Sequence, residues 1–340
     1  MARGYSRNNL HPRDPRGLPG EIDRSVSGHS GAFHDRGIPD RLTRIVVDAH
    51  AKINLFLKIQ GKRADGYHLI ESVVQTITLH DTLTLEAQPR GIDLEVDDPN
   101  LSPGRENLVW RAAASLPRPD RGPRGALIRL AKRIPVGAGL GGGSSDAAAT
   151  LVGLRRLWRL DLSDRDLLSI AVSIGSDVPF FLTGGTARLT GTGTEVEALP
   201  DLTGYDVLVV FPGVGIPTAE VYALAGTTLT SALKISSMAR FHPTLAGNLD
   251  EEVEAWVRVG NDLEPYARSL CPAIGKIRNR LLAAGAAAAA MTGSGSAVFG
   301  VFRSPVAIQQ ALAEASAAGL AVMRCSPLSR EEHRRRLGFD

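Results

Sequence analysis

Cysteine is nearly missing from this chain: 340 residues hold two, Cys271 and Cys325. They lie far apart, with no Cys-x-x-Cys and no histidine pattern beside them. That argues against a disulfide framework and a cysteine metal site, and a reducing cytoplasm is the expected compartment. Aromatic residues are few, at 5%, and the formal net charge is only +3. Acids and bases are mixed throughout, with no stripe of bases interleaved with aromatics. Nucleic acid is therefore not an expected partner, despite a pI near 9.0. Long apolar runs are lacking too. The most apolar stretch, Leu281 to Met291, is mostly alanine and too short to span a bilayer, so no membrane role is expected.

What is present is enough hydrophobic content, 43% of 340 residues, to bury a sizeable core, in two domains. Residues 1–42 stand apart: rich in Arg, Gly, Pro, Ser and Asp, with isolated hydrophobes only. Such a segment cannot bury enough apolar surface to fold alone. It has no apolar stretch of the signal-peptide kind, and its acids (Asp14, Glu21, Asp23, Asp35, Asp40) argue against a transit peptide. The expectation is a disordered extension or a misassigned start codon. The expected domains are 43–199 and 200–328, followed by a charged, solvated tail at 329–340.

The densest signal is Pro135-Val136-Gly137-Ala138-Gly139-Leu140-Gly141-Gly142-Gly143-Ser144-Ser145-Asp146. A strand-like segment, Ala126 to Ala131, precedes it. A helix-like segment follows, with Ala147, Leu151, Leu154 and Trp158 on one face. A glycine loop that opens a helix suits a phosphate: bare backbone approaches the anion, and the first helical turn adds unpaired N–H donors. No lysine precedes the serines, so this is not a Gly-x-x-x-x-Gly-Lys-Ser/Thr loop. Gly137, Gly139 and Gly142 fit a dinucleotide fingerprint, but that needs a second strand after the helix, and Leu162-Ser163 starts another helix instead. A purely packing role would waste the chain entropy of so many glycines.

Three polar clusters stand out elsewhere. Lys52 and Asn54 lie two apart beside a buried strand and so point the same way. This is either one polar face of a strand or a cation and an amide set in a cleft. Gly61 to Ile70 is a turn-rich loop closing on Tyr67-His68, read either as a hairpin end or as an aromatic plane and an imidazole offered to a ligand. Asp177 directly precedes Val178-Pro179-Phe180-Phe181, where a helix cap or a turn is the plain local reading. Further along, Thr292-Gly293-Ser294-Gly295-Ser296 separates two strands, and the β-α-β alternation after Tyr205 suits a ferredoxin-like plait.

Together these segments resemble the GHMP kinases, a superfamily of small-molecule kinases. Pro-x-Gly-x-Gly-Leu-Gly-Gly-Gly-Ser-Ser is similar to their ATP loop, Gly-x-Asp-Val-Pro-Phe-Phe to a second signature, and the 292–296 turn to a third. Within the superfamily, Ala51-Lys-Ile-Asn-Leu55 and Arg63-Ala-Asp-Gly-Tyr-His68 resemble the first signature of the diphosphocytidyl-methylerythritol kinases. The resemblance covers roughly residues 43–328.

It implies an α+β, two-domain GHMP kinase fold: an N-terminal α/β nucleotide-binding domain and a C-terminal ferredoxin-like domain. It implies ATP as co-substrate and ATP-dependent phosphorylation of the acceptor's 2-hydroxyl. Lys52 and Asp177 become catalytic. Asn54, Tyr67 and His68 contact the substrate, Tyr67 near the cytosine and His68 bonded to it, with Thr218 and Tyr222 lining the same pocket. Asn107 and Lys132 fall near the adenine. Mg2+ is expected, and Ser145 is the candidate metal ligand. One departure is Asp146, where some relatives carry Asn; it places a negative charge by the phosphate loop, although acids are favoured in a first helical turn. The expected state is a monomer or weak homodimer. The rivals are another GHMP kinase, of homoserine or mevalonate type, and a non-catalytic nucleotide-binding protein.

Overall fold

A computed structural model describes residues 43–232 and 249–339, which belong to one unit of the chain. The expected extension at 1–42 lies outside the described residues.

Two long antiparallel strands form the spine, β1 (Arg44–Lys62) and β2 (His68–Gln88). Sequence patterning breaks each of them in two, because polar residues interrupt the apolar alternation around His50 and Asp81. The backbone runs through, and β-bulges between His50 and Lys52, between Asn54 and Phe56 and between Ile59 and Gly61 absorb the change of face. Next come β3 (Ile92–Val96), α1 (Leu108–Ser115), β4 (Gly125–Ala131), α2 (Gly142–Leu157), α3 (Asp164–Ile174), α4 (Val178–Thr183), β5 (Thr186–Thr190) and β6 (Glu195–Ala198). The strands lie in the order β3-β4-β2-β5-β6, with β1 on β2.

Helix α2 carries alanines where other helices carry leucines, and this lets it sit very close to the sheet. Ala147, Ala148, Ala149, Leu151 and Leu154 are all fully buried. At Gly153 a Cβ would fall 2.3 Å from Leu85 Cδ1, so any larger residue would push that side chain aside. The capping box of α3 is as its sequence suggests: Ser163 accepts from the Asp166 N–H, and the Asp166 carboxylate accepts from the Ser163 N–H.

The rest of the described chain is β7 (Asp206–Phe211), α5 (Thr218–Ala232), α6 (Leu249–Val259), α7 (Glu264–Leu270), α8 (Ala273–Ala283), β8 (Ala288–Met291), β9 (Val298–Phe302), α9 (Pro305–Ala317), β10 (Ala321–Cys325) and α10 (Arg330–Leu337). Its four strands form an antiparallel sheet in the order β10-β7-β9-β8, a ferredoxin-like plait. Strand β1 belongs to both layers. Ile53, Leu55 and Phe56 pack in one core cluster with Val207, Val209 and Phe299, while Val47 and Ala49 pack under α2. This shared strand brings the 292–296 turn, between β8 and β9, against the glycine loop.

The tail departs from expectation. Residues 330–337 form a helix, capped by Ser329 and ended at the left-handed Gly338, and they dock on the first core. His333 and Leu337, one turn apart, are fully buried, and the Arg334 guanidinium lies 3.8 Å from the Phe339 ring centre. The run of charges hides an i, i+4 pair that holds the segment down.

Candidate active site

The glycine loop links β4 to α2, and three of its glycines adopt the left-handed backbone its path demands, Gly137 at φ +67, Gly139 at φ +77 and Gly141 at φ +72. A Cβ on Gly139 would stand 2.1 Å from the Thr292 carbonyl oxygen, and one on Gly293 would stand 2.7 Å from the Gly139 carbonyl. The two glycine turns therefore touch backbone to backbone, joined by Ala297 N–H to Ala138 O at 3.1 Å and Thr292 Oγ1 to Gly139 O at 3.2 Å. Packing thus accounts for some of the glycines. It does not account for Gly143, which is exposed and whose Cβ would meet only Leu108 Cδ1, at 3.6 Å. Helix α2 starts at N-cap Gly141 with no side-chain cap, so its first-turn N–H groups and dipole face the opening. That opening is a cavity of about 640 Å³, lined by Pro135 to Ser144 together with Lys52, Asn54, Asn107, Lys132, Asp177, Thr218 and Tyr222.

At its floor, Lys52 Nζ lies 3.6 Å from Asp177 Oδ2. The lysine is buried and the aspartate a third exposed. Burial pulls the Lys52 ammonium below the usual lysine range, and the Asp177 charge works against that fall. Lys52 also donates to Asn54 Oδ1, and Asn54 Nδ2 donates to Ser72 Oγ at 2.8 Å. The Asn54 N–H donates to Thr292 Oγ1 at 3.0 Å. Of the two readings of the Lys52-Asn54 pair, the geometry selects the cleft. Asp177 does sit at the N-cap position of α4, yet its carboxylate makes no capping bond. Its side chain is turned to the lysine instead.

Ser145 requires correction, and Lys132 is held more tightly than its expected role suggests. Lys132 reaches the lining, but its ammonium is held between two buried carboxylates, Asp81 Oδ2 at 2.5 Å and Asp146 Oδ2 at 2.8 Å. Asp81 also accepts from the N–H groups of Arg133 and Ile134. Burial pushes the Asp146 carboxyl well above the usual carboxylate range, while Lys132 pulls it back. The negative charge expected from Asp146 is thus met by a lysine, and its other oxygen, Oδ1, is buried without a partner. Ser145 does not face the cavity at all. Its hydroxyl is buried and donates to the His50 carbonyl at 2.7 Å, which turns it to β1 and not to the cavity. Its neighbour Ser144 lines the cavity. Asn107 lines it too, although its side chain is committed to capping α1 through the Val109 N–H.

On the far side, Thr218 and Ser294 share a hydrogen bond of 2.8 Å. The rings of His68 and Tyr222 stand 5.1 Å apart, and His68 Nε2 is buried with no partner. Burial, with the Asp177 charge adding to it, pushes the Tyr222 phenol upward. Tyr67 projects from the loop before β2, 67% exposed. Sequence reasoning missed Ser72 and Asp81, named Thr292 only as part of its turn, and gave no site role to Asn261. The last donates to the carbonyls of Met291 (3.0 Å) and Gly293 (2.8 Å) and so fixes the second glycine turn. Only Asp81 left a trace, as a lone acid inside an apolar strand.

A phosphate-sized helix N-terminus above a lysine–aspartate pair, on this pair of sheets, defines a small-molecule kinase of the GHMP class. The profile of the GHMP kinases N terminal domain matches residues 107–185, and that of the GHMP kinases C terminal matches 244–320. Among proteins of assigned function, the chain is 43% identical over 254 residues to the 4-diphosphocytidyl-2-C-methyl-D-erythritol kinase of Pelotomaculum thermopropionicum, covering 74% of this chain and 87% of that one. It is 38% identical to the enzyme of the same name from Symbiobacterium thermophilum, covering 84% and 96%. A crystal structure of 4-(cytidine 5'-diphospho)-2C-methyl-D-erythritol kinase superposes with a TM-score of 0.65 at 34% identity, over 83% of this chain and 99% of that one. Homoserine kinase from Cytophaga hutchinsonii, at 20% identity and a TM-score of 0.61, shares the fold. The chain belongs to the 4-diphosphocytidyl-2-C-methyl-D-erythritol kinase family.

Proposed function

We propose that the protein transfers a phosphoryl group from ATP to the 2-hydroxyl of 4-diphosphocytidyl-2-C-methyl-D-erythritol, in the non-mevalonate route to isoprenoid precursors. The observation that carries this reading is the Lys52–Asp177 pair, 3.6 Å apart at the floor of the cavity under the N-terminus of α2. Phosphoryl transfer asks chiefly for positioning and for stabilisation of charge. The first turn of α2 and the loop backbone hold the triphosphate. Asp177 accepts the proton of the attacking hydroxyl. Lys52, 3.6 Å from Asp177, offsets charge that builds on the transferred group.

On the acceptor side, the exposed ring of Tyr67 is free to stack on a cytosine, and His68, whose buried Nε2 has no hydrogen-bond partner, stands beside Tyr222. Asn54, Thr218 and Tyr222 complete that wall. Mg2+ keeps most of its waters and needs few protein oxygens. The orphaned Asp146 Oδ1 and the Ser144 hydroxyl are donors of the fitting kind, and a cation bound there would neutralise phosphate charge. We place the reaction in the cytoplasm, in a monomer or weak homodimer. No described helix is long and apolar enough to cross a membrane.

The test is ATP consumption with magnesium on three acceptors: diphosphocytidyl-methylerythritol, mevalonate and homoserine. Turnover on the first alone is expected. Turnover on either of the others instead would mean that the Tyr67-His68 wall has been misassigned, and none on any would favour a nucleotide-binding protein without catalysis.

A further inference from the structure

Behind the glycine loop, on the opposite side of Ser145 from the cavity, β1 and β2 bring three metal-ligating side chains onto one face. Asp48 and His50 are two residues apart on β1, so they point the same way. His80 lies directly across the antiparallel ladder from His50. Residues so paired have their Cβ atoms about 4.5–5.5 Å apart, which is sheet geometry and owes nothing to side-chain flexibility. One donor atom from each of the three lies within 4.8 Å of the others.

The individual side chains are prepared for more than packing. His50 is fully buried, and neither of its ring nitrogens has a hydrogen-bond partner. A buried donor left unmade costs about 1–3 kcal/mol, so a buried imidazole with both nitrogens idle calls for a ligand. His80 donates from Nδ1 to the Thr78 carbonyl at 2.9 Å. This fixes the tautomer that leaves the Nε2 lone pair free, the arrangement by which a backbone carbonyl orients a metal-bound histidine. That Nε2 faces Asp48 Oδ1 at 3.7 Å, too far for a hydrogen bond and close to the spacing of two ligands on one ion whose bonds are about 2.0–2.2 Å.

We infer that Asp48, His50 and His80 form a binding site for a single divalent transition ion of the zinc and cobalt class. Two imidazoles and a carboxylate suit such ions, whereas Mg2+ prefers an all-oxygen shell. The charged and titratable groups around the site are few. Arg336 approaches from α10 but is engaged by Glu332 at 2.7 Å. The His333 ring stands 5.6 Å from that of His50, with its Nε2 on the Phe181 carbonyl. The ion would tie β1 to β2 just where β1 receives the Ser145 hydroxyl.

The experiment uses the full chain without an affinity tag, stripped with chelator and titrated with Co2+ in excess Mg2+. Visible absorption reports the coordination and thermal unfolding reports the linkage. One equivalent of Co2+ is expected to bind, with ligand-field bands and a raised Tm. Asp48→Asn and His80→Gln, both at part-exposed positions, should each weaken binding by roughly tenfold or more, since even residues supporting the ligands count for about 10–100-fold. The double variant should lose the bands while its metal-free Tm stays that of the parent chain. Two results overturn the assignment: a parent chain that takes up no Co2+, or a double variant that binds it as tightly as the parent, the ion then being held by other histidines such as His11, His29 or His34.

Discussion

Two glycines of the same loop should respond in opposite ways to one added methyl group. Gly139 lies in the left-handed region at φ +77, and its Cβ would overlap the Thr292 carbonyl oxygen at 2.1 Å. The backbone conformation alone costs an alanine roughly 1–2 kcal/mol. Relieving the overlap means parting the two turns, which gives up the Ala297-to-Ala138 and Thr292-to-Gly139 hydrogen bonds, each worth about 1 kcal/mol net. Gly139→Ala should therefore lose about 3–4 kcal/mol, or roughly 4–6 °C in Tm for a chain of this size. Gly143 has no left-handed strain and only Leu108 nearby, at 3.6 Å. In a helix, alanine outranks glycine by up to about 1 kcal/mol, so Gly143→Ala should keep or slightly raise Tm. Its methyl group would nevertheless stand where a phosphate meets the first turn of α2. Losing one charge-assisted bond of about 1.5–3 kcal/mol raises the KM for ATP by about 10- to 100-fold. Scanning fluorimetry and initial rates against ATP read both. A Gly143→Ala protein with the parent KM would refute the phosphate assignment of this turn, and a Gly139→Ala protein with the parent Tm would refute the steric reasoning.

The other expectations are separable by assay. Asp177→Asn and Lys52→Ala should fold, bind ATP and lose kcat by about 10²–10⁴-fold, the usual share of a positioned proton acceptor; single-turnover rates near those of the parent in either would end that mechanism. Tyr67→Ala and His68→Ala should raise the KM for the cytidylyl acceptor and leave that for ATP alone, and an unchanged acceptor KM would remove both from the substrate wall. Lys132→Met should strand the Asp81 and Asp146 carboxylates, and stability by denaturant titration should fall by about 3–5 kcal/mol. A loss below about 1 kcal/mol would show that the triad does not hold the loop.

The legible features were those written in consecutive residues. The glycine run, the start of α2, the capping box at Ser163 and Asp166 and the alternation behind the ferredoxin-like sheet each depend on spacing within a few positions. The Lys52-Asn54 pair was half legible. Its shared direction follows from the two-residue period of a strand, but its choice between surface and cleft depended on the 292–296 turn, whose Thr292 is 238 residues away from Asn54. Asp177 shows the opposite trap. The local rule for an acid before a short helix is a cap, and the backbone does place it at that position, yet the nearby lysine outbids the N–H groups for the carboxylate.

Ser145 shows why a correct motif can still yield a wrong role. Adjacent residues on an α-helix point about 100° apart, so two neighbouring serines meet different surroundings. Which of them faces the cavity is set by where the helix begins, and that is fixed by the left-handed Gly141 at N-cap. With this start, Ser144 falls on the cavity side and Ser145 on the β1 side, where the His50 carbonyl takes its hydroxyl. The same register turns Asp146 toward Lys132, 14 residues back on the chain, and Lys132 toward Asp81, a further 51 back. A charge that looks out of place beside a phosphate loop is then one corner of a buried ion triad. Only the fold, by joining β2, the end of β4 and the second turn of α2, supplies the other two.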